Sequence, residues 1–300
     1  MILYNGASGG LGRYLALAAS QHDKKAHTLH ARLEDGLALE RELESLRPGR
    51  SITFIHLAAM VSVPACETDP VAAHHVNVTL AKSTLTTILD WASNTDIEAR
   101  VIYVSSGHVY KAPQAGSRVA EDDPTSPRSV YARTKLQAEH ELSKLAASRG
   151  APLLVARVFG LLAPQQAPNY VLPGLIERVR RRDLQAIPGL DYVRDYLDAR
   201  DICANLVLLA SLTWPSNAEV LNICSGVPVS IRDLLRGVVH VMEPAAVDEI
   251  LAQAKSAPGG PDDLRWLVGD PGRLTRLTAT PPRQVSLAVS IADAVAGRHV

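Results

Sequence analysis

The sequence predicts an α/β chain, a doubly wound parallel sheet followed by a smaller C-terminal lobe. Three observations carry this reading. Short apolar, β-branched runs alternate with helical stretches from Ile2 through Val158, the pattern of repeated strand–helix–strand units. A glycine-rich turn, Gly6-Ala-Ser-Gly9-Gly10-Leu-Gly12, joins the first strand to the first helix. Beyond residue 158 the alternation loosens, and Pro164, Pro168 and Pro173 punctuate the chain.

The first strand is Ile2–Asn5, and the helical run Arg13–Ala19 follows the glycines. Strand, glycine turn and helix in this order point to dinucleotide binding. The glycines allow a tight turn and bring backbone N–H groups to a pyrophosphate at a helix N-terminus. The spacing is Gly-x-x-Gly-x-x-Gly rather than Gly-x-Gly-x-x-Gly, and an ordinary glycine-rich turn is the competing reading. Gly6, Ser8, Gly9, Gly10, Leu11, Gly12 and Arg13 are the candidate cofactor contacts, which makes the sheet Rossmann-type.

Ala26–His30 reads as the second strand. Such units often place an acid about 20 residues past the glycines to hold the ribose 2′-hydroxyl. Arg32 stands there instead, and an Arg can accept a 2′-phosphate, so NADP is expected over NAD. Arg32 as a solvated surface residue, or Glu34 or Asp35 in the acid's place, are the other readings. Gly36–Leu46 is an amphipathic helix stopped by Pro48-Gly49. Ile52–His56 is the next strand and runs into Leu57-Ala58-Ala59, small residues that let a cofactor approach. His56 is read as a core or turn histidine without a chemical role. Cys66–Pro70 is read as a loop, and residues 71–92 as a helix carrying Asn77.

Val101–Tyr110 is a buried strand ending in Ser105-Ser106-Gly107, which delivers hydroxyls to the carboxyl edge of the sheet. Pro124 and Pro127 precede a helix that runs without Pro or Gly to Arg149. Tyr131 and Lys135 lie one turn apart on one face of it. A phenol is a poor acid–base group at neutral pH, and a neighbouring ammonium lowers its pKa. Tyr131, Lys135 and a serine hydroxyl together suit proton transfer coupled to hydride transfer at a carbonyl. A surface pair at helical spacing is the competing reading, since short motifs recur by chance.

Lys111–Pro127 is a loop, and Leu153–Val158 another buried strand. Residues 1–160 are expected to form the dinucleotide-binding domain, completed by 192–225, with 161–191 and 226–300 forming the substrate-binding lobe. Arg178, Arg180, Arg181 and Arg182 read as a solvated helix face rather than a phosphate site. Ile202–Leu212 and Ile231–Met242 are helices, Glu219–Cys224 is a strand, and Lys255–Pro261 reads as a linker.

With 300 residues and a 47% apolar share, the chain can bury a substantial core. A formal net charge of zero argues against nucleic acid as a partner. Cys66, Cys203 and Cys224 show no metal or redox spacing, so no metal is expected and free thiols in a reducing compartment are. No apolar run is long enough to span a bilayer, and Met1 leads directly into a strand without a basic leader. A cytoplasmic chain without a membrane partner is therefore expected.

With these motifs in view, the chain resembles the extended short-chain dehydrogenase/reductase family, the NAD(P)-dependent nucleotide-sugar epimerases, dehydratases and reductases. The resemblance rests on Gly6-x-x-Gly9-x-x-Gly12, His56-Leu-Ala-Ala59, Ser105-Ser106 with Val109-Tyr110, Tyr131-x-x-x-Lys135, Arg194-Asp195 and Asn222-Ile-Cys-Ser-Gly226. Residues 153–235 look most like the reductases that act on GDP-4-keto-6-deoxymannose. The resemblance implies that Ser106 is the catalytic serine and Tyr131 the acid–base. It also implies that Lys135 binds the nicotinamide ribose and lowers the Tyr131 pKa. Substrate contacts are then expected from Ser106, His108, Tyr131 and Arg194, with Arg194 meeting a phosphate.

Gly107-His108 stands where sugar dehydratases place an acidic pair, which argues against water elimination. Gly160 stands where the family has a substrate-contacting Asn. Gly260 stands near where the reductases it resembles carry a nucleotide-binding Arg, a role Arg265 can take. The segment between the second strand and His56 is shorter than usual for the family. The expected activity is NADP(H)-dependent reduction of a keto group, at C4, on a nucleotide-linked deoxysugar. The alternatives are an NAD-dependent C4 epimerase and a non-catalytic cofactor-sensing protein. The resemblance also implies a homodimer.

Overall fold

In a computed structural model, residues 1–164, 166–168, 170–260 and 264–298 are described. β1 (Ile2–Tyr4) enters the glycine turn and α1 (Gly12–Gln21) leaves it. β2 (Ala26–Thr28), α2 (Gly36–Ser45) and β3 (Ser51–His56) follow. Asp35 starts α2 by accepting the Ala38 N–H, the usual role of a short acid before a helix.

Helix rather than loop follows Ser62. α3 (Val63–Thr68) and α4 (Pro70–His74) replace the expected Cys66–Pro70 loop. Ser62 accepts the Ala65 N–H and Asp69 the Ala72 N–H, and Pro64 and Pro70 fall in first turns, where the missing N–H costs nothing. α4 runs through a π-helical turn, His75–Leu80, into α5 (Ala81–Asn94). β4 (Glu98–Ser106) ends in a 3₁₀ turn, Gly107–Val109. α6 (Val130–Ser148) and β5 (Leu153–Val158) complete the first half.

β6 (Gly160–Leu162), α7 (Val171–Arg181), β7 (Ile187–Pro188), β8 (Val193–Asp198), α8 (Ala199–Ser211) and β9 (Ala218–Ile223) come next. β10 (Pro228–Ser230), α9 (Ile231–Met242), α10 (Val247–Ala252), β11 (Ser256–Ala257), β12 (Trp266–Leu267), α11 (Gly272–Thr278) and α12 (Leu287–Ala296) close the chain. The stretch expected as a linker contains β11, which pairs with β7; Pro261, its last residue, lies outside the described residues.

Six strands form one parallel sheet in the order β2-β1-β3-β4-β5-β9. One face buries Leu15, Ile102, Leu154 and Leu206 between the sheet and α1 and α8. The other buries Phe54, Tyr103, Leu85 and Leu142 under α5 and α6. Burial on both faces is why these strands read as continuous apolar runs. The strand order reverses between β1 and β3, and the crevice at the carboxyl ends beside such a reversal is where open α/β sheets bind ligands. Among the described residues no strand lies beyond β2, consistent with the short segment before β3.

A smaller sheet, β10-β8-β12 with β6 on β8, carries the second lobe. Leu172, Leu175, Leu234, Val238 and Ile291 of α7, α9 and α12 form its own core. α8 and β9 pack with the large sheet, whereas β8 lies in the small one. The Arg run of α7 is tied up in exposed pairs with Glu177, Asp183 and Glu243, a solvated face.

Candidate active site

The carboxyl ends of β1, β3, β4 and β5 open on a cleft of about 590 Å³. Its floor begins at the glycine turn. Gly6 has φ +72°, and a Cβ there would lie 2.8 Å from the Ala58 nitrogen. A Cβ on Gly12 would lie 2.2 Å from the Gly6 oxygen. These two positions admit only glycine. Gly9 and Gly10 are exposed to the cleft and present bare backbone at the α1 N-terminus. The turn therefore fits a pyrophosphate, which backbone N–H groups and a helix N-terminus attract.

Asn5 sets the width of this floor. Its Oδ1 accepts the Leu57 and Ala58 N–H groups at 2.9 and 3.1 Å. Its Nδ2 donates to His56 Nδ1 at 3.1 Å. Burial and the nearby Lys135 hold the His56 pKa down at about 3, so this ring is a neutral structural acceptor.

Tyr131 and Lys135 reach the cleft from one face of α6. Ser129 starts this helix by accepting the Ala132 N–H, and Glu67 accepts the Val130 N–H. Asn77, on the π-helical turn, accepts the Met60 N–H, donates to the Met60 oxygen and donates to Thr134 Oγ1. It is thus a structural clamp between the β3 exit and α6.

Ser106 and the Tyr131 phenol line the same cleft. Burial pushes the phenol up to about 12, and Ser106 is the group that pulls it back. The expected lowering by Lys135 is not found. The Lys135 ammonium lies 4.3 Å from the centroid of the Tyr103 ring. Burial drops its own pKa to about 7, against the pull of Glu139 one turn on. A buried amine that holds its proton weakly cannot lend much charge to a neighbour.

His108 faces Ser106, with Nδ1 and the backbone N–H both 3.2 Å from Oγ. Burial first, and then the Arg194 guanidinium, hold its pKa down at about 4. Arg194 lines the cleft and donates to the Val193 oxygen. Next to it, the buried Asp195 carboxylate accepts from Ser225 N, Ser225 Oγ and Gly226 N, tying β8 to the β9 exit.

Gly6, Ser8, Gly9, Gly10, Leu11, Leu57, Ala58, Ala59, Ser106, His108, Tyr131, Lys135 and Arg194 all line this one cleft. Three predicted contacts do not: Gly12 packs beneath the turn, and Arg13 and Arg32 are exposed outside the lining. Among the described residues, the lining holds no Asp or Glu and two cations, Lys135 and Arg194.

Residues 2–224 match the NAD dependent epimerase/dehydratase family. The chain belongs to that family. A GDP-6-deoxy-D-mannose reductase of Pseudomonas aeruginosa is 29% identical over 242 residues, 78% of this chain and 77% of that one. The structure of RMD from Pseudomonas aeruginosa complexed with NADPH superposes with a TM-score of 0.80 at 24% identity, covering 99% of this chain and 98% of that chain. Thermus thermophilus UDP-glucose 4-epimerase in complex with NAD superposes with a TM-score of 0.81 at 23% identity, again covering 99% and 98%. At these identities the two superpositions establish the fold, and the fold alone does not fix the reaction.

In this member of the epimerase/dehydratase family, several wall residues escape sequence reasoning: Leu33, Val61, Phe159, Leu161, Tyr170 and Tyr196. Most are apolar residues that read as core. Tyr196 explains Gly160, where a Cβ would lie 2.5 Å from the Tyr196 ring and 2.6 Å from the Asp195 oxygen. The space of the expected Asn is filled by Tyr196. Gly260 has open space around it, and Arg265 is exposed.

Proposed function

We propose that this enzyme reduces a keto group, at C4, of a nucleotide-linked deoxysugar, with NADPH as the preferred cofactor. The observation that carries the reading is the convergence of Ser106, Tyr131 and Lys135 on one cleft, floored by the glycine turn and bare of carboxylates among the described lining residues. The similarity to a GDP-6-deoxy-D-mannose reductase over 78% of the chain supports the substrate class. The family is NAD(P)-dependent and the chain is an oxidoreductase of that kind.

When bound, NADPH supplies a hydride to the carbonyl carbon. Gly6, Gly9 and Gly10 receive the pyrophosphate, and Leu57, Ala58 and Ala59 leave room above it. Tyr131 donates its proton to the carbonyl oxygen as charge develops there, and Ser106 holds the same oxygen. Lys135 binds the nicotinamide ribose. Arg194, on the far wall, meets a substrate phosphate as a charge-assisted donor. Water elimination needs an acid and a base beside the sugar, and no carboxylate among the described lining residues offers them.

The test is NADPH oxidation against a panel of nucleotide 4-keto-6-deoxysugars. Tyr131→Phe should cut turnover by about 10²–10⁴ while leaving cofactor binding intact. Unchanged turnover in that variant refutes the role. Product formed from a 4-hydroxy sugar without added reductant favours C4 epimerisation instead. The preference for NADPH rests on Arg32 and Arg13 at the exposed rim, and a lower Michaelis constant for NADH sinks it.

Our reading includes a cytoplasmic homodimer formed through α5 and α6. Its support is the family resemblance for the dimer and three buried free thiols for the compartment. A solution mass of one chain by light scattering overturns the dimer.

A further inference from the structure

We propose that His108 is a positioning residue that aims the Ser106 hydroxyl at the substrate carbonyl. This rests on the roles given to Ser106 and Tyr131 above.

The 3₁₀ turn after β4 folds His108 back over the preceding serine. The turn sits close against β5's exit, because a Cβ on Gly107 would lie 3.0 Å from the Phe159 ring. Two His108 nitrogens then meet one oxygen, the backbone N–H and Nδ1, each 3.2 Å from Ser106 Oγ.

A serine hydroxyl has one proton and two acceptor positions. The His108 backbone N–H fills one acceptor position. Nδ1 decides the rest. If Nδ1 carries the ring's proton, it fills the second acceptor position, and the serine proton is left to point at the phenol or at a carbonyl oxygen. If Nδ1 is bare, it takes the serine proton, and Ser106 has no donor for the substrate. Only the first arrangement lets Ser106 stabilise negative charge on the carbonyl oxygen. A carbonyl seated between Ser106 and Tyr131 adds an acceptor, which favours that same arrangement.

The neutral ring has one proton to place, so the choice between the two tautomers is a real one. The ring also does not compete with Tyr131 as the acid. It acts through the serine, and its effect therefore vanishes when the serine hydroxyl is gone.

The experiment is a double-mutant cycle on the full chain, with Ser106→Ala, His108→Ala and the pair, read as kcat and KM for NADPH and the keto sugar. His108→Ala is expected to lower kcat by about ten- to a hundredfold, less than the 10²–10³ of removing an oxyanion donor outright. KM for NADPH stays unchanged. The double variant is expected to be no slower than Ser106→Ala alone. His108→Asn keeps a side-chain N–H within reach of Ser106 and is expected to recover most of the lost kcat, which also separates a positioning defect from a folding one. A double variant slower than Ser106→Ala by the full His108→Ala factor overturns the positioning role alone. So does a rise confined to KM for the sugar, which marks direct substrate contact. A Ser106→Ala variant as fast as the wild type overturns both this role and the reading of the site.

Discussion

The Lys135 ammonium is stacked on the Tyr103 ring, 4.3 Å from its centroid, at the back of the cleft. Tyr103 is in β4 and Lys135 in α6, so the contact locks the Tyr131 helix onto the central strand. A cation on an aromatic face recovers part of what burial removes, yet desolvation still brings the amine down to about 7.

This gives stability a sign with pH. Between about 7, the folded value, and 10.5, the ordinary one, the unfolded chain holds a proton on this amine that the folded chain partly lacks. Stability therefore rises with pH across that window, and the cost of burying the charge is fully present below it. Lys135→Met removes the charge. Its unfolding midpoint should gain more at pH 6 than at pH 10, flattening the slope. A slope identical to wild type means that Lys135 is not the group responsible.

The phenol gives a second pH signature. With Tyr131 pushed up to about 12, the proton needed for reduction is present throughout the neutral and mildly alkaline range. Oxidation of the alcohol product needs the phenolate, whose population grows about tenfold per pH unit below that value. Between pH 7 and 10 the reductive rate should stay level while the oxidative rate climbs, and Tyr131→Phe should remove the climb. Equal slopes in the two directions refute this assignment.

Much of this architecture is legible in the sequence, for reasons that differ by element. Ile52–His56 and Leu153–Val158 announce themselves because both faces of their sheet are covered. The Tyr131 helix is legible from its flanking prolines and the Ser129 cap. The second sheet is not, because β6, β10 and β12 are two or three residues long and find partners far away in the chain. Ser62 with Pro64, and Asp69 with Pro70, do carry the signal for α3 and α4. At the site, Tyr131, Lys135 and Ser106 are readable as a motif. The direction in which Lys135 points is a tertiary fact set by Tyr103 and Glu139, and no spacing encodes it.

The glycine turn separates fold from binding. Gly6→Ala combines a left-handed backbone with a 2.8 Å approach to the Ala58 nitrogen, so both the melting temperature and NADPH affinity should fall. At Gly10 an added Cβ meets only Leu161 Cδ2, at an ordinary 3.5 Å, on the cleft side of the turn. Gly10→Ala should melt near wild type and bind NADPH more weakly. A Gly10→Ala variant with unaltered NADPH affinity places the pyrophosphate elsewhere.

Behind Lys135 lies a buried ion pair whose removal should be costly. Arg157 donates to both Glu139 oxygens, at 3.1 and 2.7 Å, and Ser105 Oγ donates to the same carboxylate. The guanidinium also covers the Tyr110 ring, whose hydroxyl donates to Asn222 Oδ1 at 2.7 Å. The pair thus joins α6 and β5 to the loop after β4 and to β9. Both side chains are under a tenth exposed, at 8% and 6%, so neither charge can fall back on water. Glu139→Gln keeps the shape but strands the guanidinium, and about 3–5 kcal/mol of stability should be lost. Adding Arg157→Met removes the stranded charge and should restore part of that loss, leaving the double variant more stable than Glu139→Gln alone. Glu139→Gln also withdraws the carboxylate that favours the Lys135 charge, so the rise of stability with pH should steepen. Urea midpoints for the three variants at pH 6 and pH 9 check both claims, and a Glu139→Gln midpoint within error of wild type refutes them.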